Sequence, residues 1–392
     1  MKILFVVTEL SYFLSHRAAL AASLQAEGFS VAVATRYDPD AERDSVELLA
    51  KQGIALFNLP RWHRSQISII NDPVTLWQLA RIMTQYQPHV VQTVALKPIL
   101  YTSFLIFCWR ILYQLQVCNV APPACAHLFA GLGFLFTETT AVSRAPWRRC
   151  LVVFLLKLLL KQPRTHVVAQ NEDDIKDLQT MVGVADEACV LIPGSGIDID
   201  HYAPAELPLQ PPLVATFIGR LLWDKGVGDL AAAGKILKDR GSAVKIRVYG
   251  MFDAANPSAI EAETMQKWHD LGFIEWMGPC ADVAKAYHQS HLAVLLSYRE
   301  GLPKSLLEAA ACGRAMIAAD VPGCRSVVRP GETGALITPG DPQALADLLM
   351  QWQKDPVSWA KFGPKARDYA GEHFSDFVIH KRFIDLYRRI TE

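Results

Sequence analysis

The sequence lacks the marks of a secreted, disulfide-bonded or zinc-stapled protein. Its 8 cysteines, at 108, 118, 125, 150, 189, 280, 312 and 324, include no CxxC pair. Without disulfide or zinc spacing they are expected to be mostly buried thiols in a reducing compartment. No secretory signal opens the chain, since Met1-Lys2 leads into ILFVVT and then into polar residues, so a cytosolic location is expected. Net charge is missing as well: 39 Lys+Arg balance 39 Asp+Glu. That excludes nucleic acid as the expected partner, because such proteins need surplus cations to displace counterions. No GxGxxG follows ILFVVT or LVATFIG, and no GxxxxGK[ST] occurs, which removes the best support for a dehydrogenase or a P-loop NTPase. Apolar runs long enough to span a bilayer, roughly 18–20 residues, are lacking too. PILYTSFLIFCW (98–109) stops at Arg110, and CLVVFLLKLLL (150–160) is interrupted by Lys157.

One local absence is informative. From Pro73 to Asn171 there is one acid, Glu138, against nine bases: Arg81, Lys97, Arg110, Arg144, Arg148, Arg149, Lys157, Lys161 and Arg164. Bases interleaved with such apolar sequence point to a lipid surface or to phosphate groups. On a helical wheel Arg149, Lys157, Lys161 and Arg164 share one narrow arc, leaving the rest to Leu, Val and Phe. Such a helix suits an anionic interface. The plainer alternative is a core helix with snorkelling lysines.

At 392 residues, 51% of them hydrophobic, the chain is long and apolar enough for two ordinary domains. Strands and helices alternate from MKILFVVT onward, the pattern of a parallel sheet covered on both faces. Ser15 reads as the N-cap of a first helix beginning at His16 and Arg17. After IPGSGID (192–198) and the prolines of PLQPP (208–212), the alternation restarts at LVATFIG. The expected architecture is α/β, with two Rossmann-like domains, 1–200 and 201–375, facing each other across a cleft.

Two motifs carry chemistry. FIGRLLWDKG (217–226) brings Arg220 and Lys225 to a strand end beside a helix amino terminus, a setting that suits a diphosphate. In YREGLPKSLLEAAACG (298–313), Glu300 sits in a turn and Gly301 allows close backbone approach to a ligand. Pro303 suits a first helical turn, and Glu308 lies about five residues into that helix. Free amides there bind phosphate, and carboxylates accept hydrogen bonds from sugar hydroxyls.

Together these motifs identify a resemblance. The chain resembles the family-4 (group 1) retaining glycosyltransferases of the GT-B fold. FLSHR (13–17), KPILY (97–101), GLGFLF (131–136), QNEDD (170–174), VPGCR (321–325) and TPGDPQALA (338–346) are similar to a bacterial subgroup that extends sugars on undecaprenyl diphosphate, such as N-acetylgalactosaminyl transferases. The resemblance implies a UDP-sugar donor, a polyprenyl-diphosphate-linked acceptor, and a peripheral place on the cytoplasmic face of the inner membrane. It implies that Arg220 and Lys225 neutralise the donor diphosphate and that Glu308 holds the ribose. Glu300, with the backbone of Gly301, Leu302 and Pro303, would grip the transferred sugar, and the strand ends at Gly250 and Gly278 would hold the uracil. Gly194, Ser195 and Gly196 fall in the interdomain loop. His16, Arg17, Lys97, His127, Arg144 and Arg148 are the acceptor-side candidates, with His127 alternatively touching the transferred sugar. The last helix, 376–392, is expected to cross back to the first domain.

No metal or other cofactor is expected. Asp38-Pro39-Asp40 and Asp198-Ile199-Asp200 are similar to the metal motif of the other large glycosyltransferase fold, but they follow a strand and fill the hinge, so structural roles are expected. The sequence departs from many family members in having no glycine-rich loop after the first strand, and YGMFDAANPS lacks a second glycine. Two rival readings remain: a transferase with a soluble acceptor, and a non-catalytic membrane partner that kept the fold.

Overall fold

The computed structural model describes residues 1–62, 71–132, 146–208, 212–254 and 256–392. Thirteen strands are found among them: β1 (Lys2–Glu9), β2 (Ser30–Arg36), β3 (Ala55–Asn58), β4 (Val90–Val94), β5 (Ala124–Phe129), β6 (Thr165–Ala169) and β7 (Cys189–Leu191), then β8 (Val214–Ile218), β9 (Lys245–Tyr249), β10 (Glu275–Trp276), β11 (Leu292–Leu295), β12 (Ala315–Ala319) and β13 (Gly334–Ile337). They form two parallel sheets, β3-β2-β1-β4-β5-β6-β7 and β10-β9-β8-β11-β12-β13. Helices cover both faces, so the central strands are buried throughout, as in the run Ile3–Val7.

The chain divides into two compact units. One comprises Met1–Leu132, the described chain from 146 to Gly196, and Ile379–Glu392; the other is Ile197–Val378. The C-terminal helix Asp376–Thr391 thus starts in the second unit and ends in the first, where Ile379, Phe383, Tyr387 and Ile390 join the core around Phe5, Phe13 and Leu24.

Four local readings are corrected. Residues 10–16 already form a helix, broken at Arg17 and resumed as Ala18–Ala26. Ser15 caps nothing, because its hydroxyl donates back to the Ser11 carbonyl at 2.8 Å. The basic helix runs Pro146–Leu159, so Lys161 and Arg164 lie beyond it; Arg164 instead donates to the Ile390 carbonyl at 3.2 Å. Of the cysteines only Cys125, Cys312 and Cys324 are buried, and Cys150 is exposed.

The stretch expected to stop at Arg110 belongs to a longer helix, Leu96–Gln114, which by length and composition alone could cross a membrane. Its first half is held in the protein, with Pro98, Ile99, Thr102, Ser103 and Ile106 buried. The far end shows Ile111, Leu112 and Tyr113 to the surface, followed by Leu115, Val117 and Val120. Helix Pro146–Leu159 packs beside it and exposes Leu151, Phe154 and Leu158.

Candidate functional site

In the second sheet the chain builds outward from β8 through β9 to β10, then returns to place β11 on the other side of β8. The loops leaving β8 and β11 diverge at this switch point, where open α/β sheets bind their ligands. GRLLWDKG leaves β8 and SYREGLPKS leaves β11. The backbone ties them together, since Tyr298 N–H donates to the Asp224 carbonyl at 3.0 Å.

All four charged candidates of this unit are near these loops. Lys225 ends a short turn, Trp223–Lys225, with Nζ 2.5 Å from Glu300 Oε1. Arg220 Nη1 is 2.9 Å from Asp253 Oδ2. Each cation is therefore held by a carboxylate while keeping N–H groups for further acceptors. Glu308 lies in the helix Lys304–Ala311, capped by Pro303, which stands one residue outside rather than in the first turn. Glu308 is buried and accepts from the Tyr202 hydroxyl at 2.9 Å. Burial raises its carboxyl above the ordinary value, opposed by Lys304 and by the Tyr202 hydrogen bond. Gly301 is buried and Leu302 packs against the core.

The two strand-end glycines differ: Gly278 has φ +74° and open space around it, whereas Gly250 allows a close backbone approach. A Cβ on Gly250 would stand 2.3 Å from the Gly219 carbonyl oxygen. Gly250 N–H donates to the Gly278 carbonyl at 2.9 Å. Three participants carry no local sequence signal: Asp253, Tyr202 and Gly323. Gly323 has φ +80°, and a Cβ there would lie 2.5 Å from the Gly301 oxygen. It was visible only as part of VPGCR, with no role to read.

The first unit has its own switch point, between β1 and β4. His16 follows β1, stacked on Tyr12 with ring centroids 4.5 Å apart and 2.7 Å from the Ser15 hydroxyl. Lys97 follows β4 and pairs with Asp72 at 2.9 Å. Ala95 just before it has φ +73° and ψ 164°, a region that non-glycine residues enter only under strain. Arg17 is not on the surface: it is 1% exposed, none of its guanidinium nitrogens has a hydrogen-bond partner among the described residues, and it stands 5.1 Å over the Phe383 ring. His127 is likewise a core residue, held by Thr93 Oγ1 at 2.8 Å and Ser103 Oγ at 3.0 Å. Neither offers a surface to a ligand. Arg144 lies outside the described residues; Arg148 lies in the helix Pro146–Leu159, its side chain outside the described part. Asp38 and Asp198 each accept two hydrogen bonds from backbone N–H groups two and three residues on, which gives both DxD-like strings a turn-forming role.

Residues 200–369, which contain the whole second-unit constellation, match the family model described as Glycosyl transferases group 1. That stretch is under half of the chain. The chain is 25% identical over 280 residues to N,N'-diacetylbacillosaminyl-diphospho-undecaprenol alpha-1,3-N-acetylgalactosaminyltransferase of Campylobacter jejuni, covering 68% of this chain and 70% of that one. It is 31% identical over 233 residues to D-inositol 3-phosphate glycosyltransferase of Rhodococcus erythropolis, spanning 55% of this chain and about half (52%) of that enzyme. Among solved structures, sucrose-phosphate synthase from Thermosynechococcus elongatus superposes with a TM-score of 0.76 at 19% identity, over 100% of this chain and 99% of that one. The Anabaena protein HepE in complex with UDP-glucose gives 0.74 at 17% identity, over 99% and 100%. The fold is GT-B.

Proposed function

We propose that this chain is a retaining glycosyltransferase that moves a hexose or N-acetylhexosamine from a UDP-sugar to a polyprenyl-diphosphate-linked saccharide. It would work peripherally on the cytoplasmic face of the inner membrane, in polysaccharide or glycoprotein glycan assembly. The carrying observation is the second-unit switch point, where Lys225 pairs with Glu300, Arg220 lies in the loop leaving β8 and Glu308 in the helix after β11, all within the stretch that matches the group 1 model.

When the donor's glycosidic bond breaks, negative charge grows on the nucleoside diphosphate. Arg220 and Lys225 are held in place before reaction, so they stabilise that charge without reorganising. Both cations are paired with carboxylates in this structure; the diphosphate would share their remaining N–H groups. Glu300 would orient the transferred sugar and Glu308 the ribose. With no protein nucleophile assigned, attack from the face of the departing phosphate, which accepts the acceptor's proton, gives retention. No divalent metal is invoked, and EDTA is expected to leave turnover intact.

The UDP assignment is supported by the ligand named with HepE, and the lipid acceptor by the name of the Campylobacter enzyme. Membrane contact is supported by the exposed apolar end of helix Leu96–Gln114 and the exposed Leu151, Phe154 and Leu158 of helix Pro146–Leu159, within the basic region. A second reading, a soluble acceptor, is favoured by the higher identity to the inositol phosphate enzyme.

One screen separates the two: purified protein, a panel of UDP-, GDP- and dTDP-sugars, and either detergent-solubilised undecaprenyl-diphosphate sugars or inositol 3-phosphate. Consumption of one UDP-sugar only with the lipid acceptor is expected, with the donor's anomeric configuration kept in the product. Arg220→Ala or Lys225→Ala should lower turnover by about 100- to 1,000-fold. Equal turnover of the soluble acceptor would favour the second reading, and failure to bind any UDP-sugar would remove the donor-site assignment.

A further inference from the structure

Where the chain enters its second unit it is held down. Ile197 N–H donates to the Phe374 carbonyl, and Asp376 N–H to the Ile197 carbonyl, at 2.9 and 3.0 Å. Arg367 then clamps the segment: Nη1 donates to the Tyr202 carbonyl at 2.9 Å and to the Ala311 carbonyl, and Nη2 to the Ile199 carbonyl at 3.2 Å. Ala311 ends the helix that carries Glu308. Arg367 thus fixes the entering segment to that helix, and the Tyr202 hydroxyl reaches Glu308 Oε1 at 2.9 Å across 106 positions of sequence.

We propose that Tyr202 is a positioning residue for the donor: its hydroxyl occupies one oxygen of the Glu308 carboxylate and turns the other toward the donor's ribose hydroxyls. The inference rests on the reading of Glu308 given under the proposed function. A neutral phenol does this without the drawback of a second cation, which would compete with the ligand for the carboxylate. A buried carboxylate with no fixed donor would also have to be ordered by the ligand at the ligand's expense. Lys304 Nζ stands farther off, at 3.8 Å, and is partly exposed.

The hydroxyl has a second effect. Burial favours the neutral acid at Glu308, whereas a hydrogen bond from Tyr202 favours the carboxylate, the form that accepts from both ribose hydroxyls. The other charged and titratable groups felt there are Lys304 on the same helix, His201 beside Tyr202, Tyr287 on the helix Val283–His288, Cys280 after β10, and Cys312 at the helix end.

The test is Tyr202→Phe, which keeps the ring and removes only the hydroxyl, with Glu308→Gln and the double variant alongside. UDP-sugar binding is measured by calorimetry from pH 5 to 8, with a thermal melt on each protein to verify folding. Tyr202→Phe is expected to weaken donor binding about tenfold and raise KM with kcat within threefold of wild type. Its acid limb of binding should move to higher pH, a shift that a merely structural tyrosine would not cause. In the Glu308→Gln background the same change should alter affinity less than twofold. Wild-type affinity and acid limb in Tyr202→Phe, or additive effects in the double variant, would overturn the role of Tyr202. Wild-type donor binding by Glu308→Gln would instead overturn the ribose reading of Glu308, and with it the basis of this inference.

Discussion

His127 is the residue for which family resemblance and packing diverge most. Both its ring nitrogens are taken by hydroxyls, and burial pushes the imidazole down to about 3. A ring neutral in the folded state and titrating near 6.5 when unfolded contributes its full stability above that value. The contribution falls as pH drops toward 3, because the unfolded chain then binds more protons than the folded one. His127→Ala should therefore cost about 2–4 kcal/mol at pH 7, from the cavity and two unpaired hydroxyls. That penalty should shrink by roughly 1 kcal/mol per pH unit between pH 6 and 5, while donor KM stays within twofold of wild type. Chemical denaturation at several pH values and steady-state kinetics check both halves. A large KM effect with no loss of stability would return His127 to the ligand.

Among the elements, the turn beside the loop leaving β11 is tightly constrained at one position. Gly323 leaves no room for a side chain beside the Glu300–Gly301 backbone and sits at φ +80°. Gly323→Ala should displace that turn and, through it, the Lys225–Glu300 pair. The expected result is a loss of about 1–3 kcal/mol in stability and about tenfold in UDP-sugar affinity, read by thermal melting and calorimetry. What the sequence made legible follows the same line. Strands such as ILFVV and AMIAA could be read because both faces are covered and every position is apolar. The Arg220 to Lys225 loop and the Glu300 to Glu308 helix start were legible because each is local in sequence. Tyr202, Asp253 and Gly323 were not, because their partners are 106, 33 and 22 residues away and only the folded sheet brings them together. The burial of Arg17 has no local signal either, since its guanidinium lies over the Phe383 ring, more than 300 positions on.

For the whole molecule, the consequence of that distant contact is that the end of the chain supports its beginning. Phe383 is fully buried in the first unit's core, with Arg17 over its ring. Phe383→Ala should cost about 3–5 kcal/mol there, from the cavity and the lost cation–π contact. A melt followed by calorimetry should show a first-unit transition moved down with the second-unit transition in place. A uniform shift of both would mean that the two units unfold as one.

The C-terminal helix also sets an order in time. Synthesis proceeds from the amino terminus, yet β1, Phe13 and Leu24 must wait for Phe383, Tyr387 and Ile390 before their cavity closes. The second unit, continuous from Ile197 to Val378, has all its own residues first. The unit begun earlier is therefore completed later, once Phe383, Tyr387 and Ile390 have been made. Loss of residues 381–392 would open the core around Phe5, Phe13 and Leu24, nearly four hundred positions away in sequence, and spare the core of the second unit.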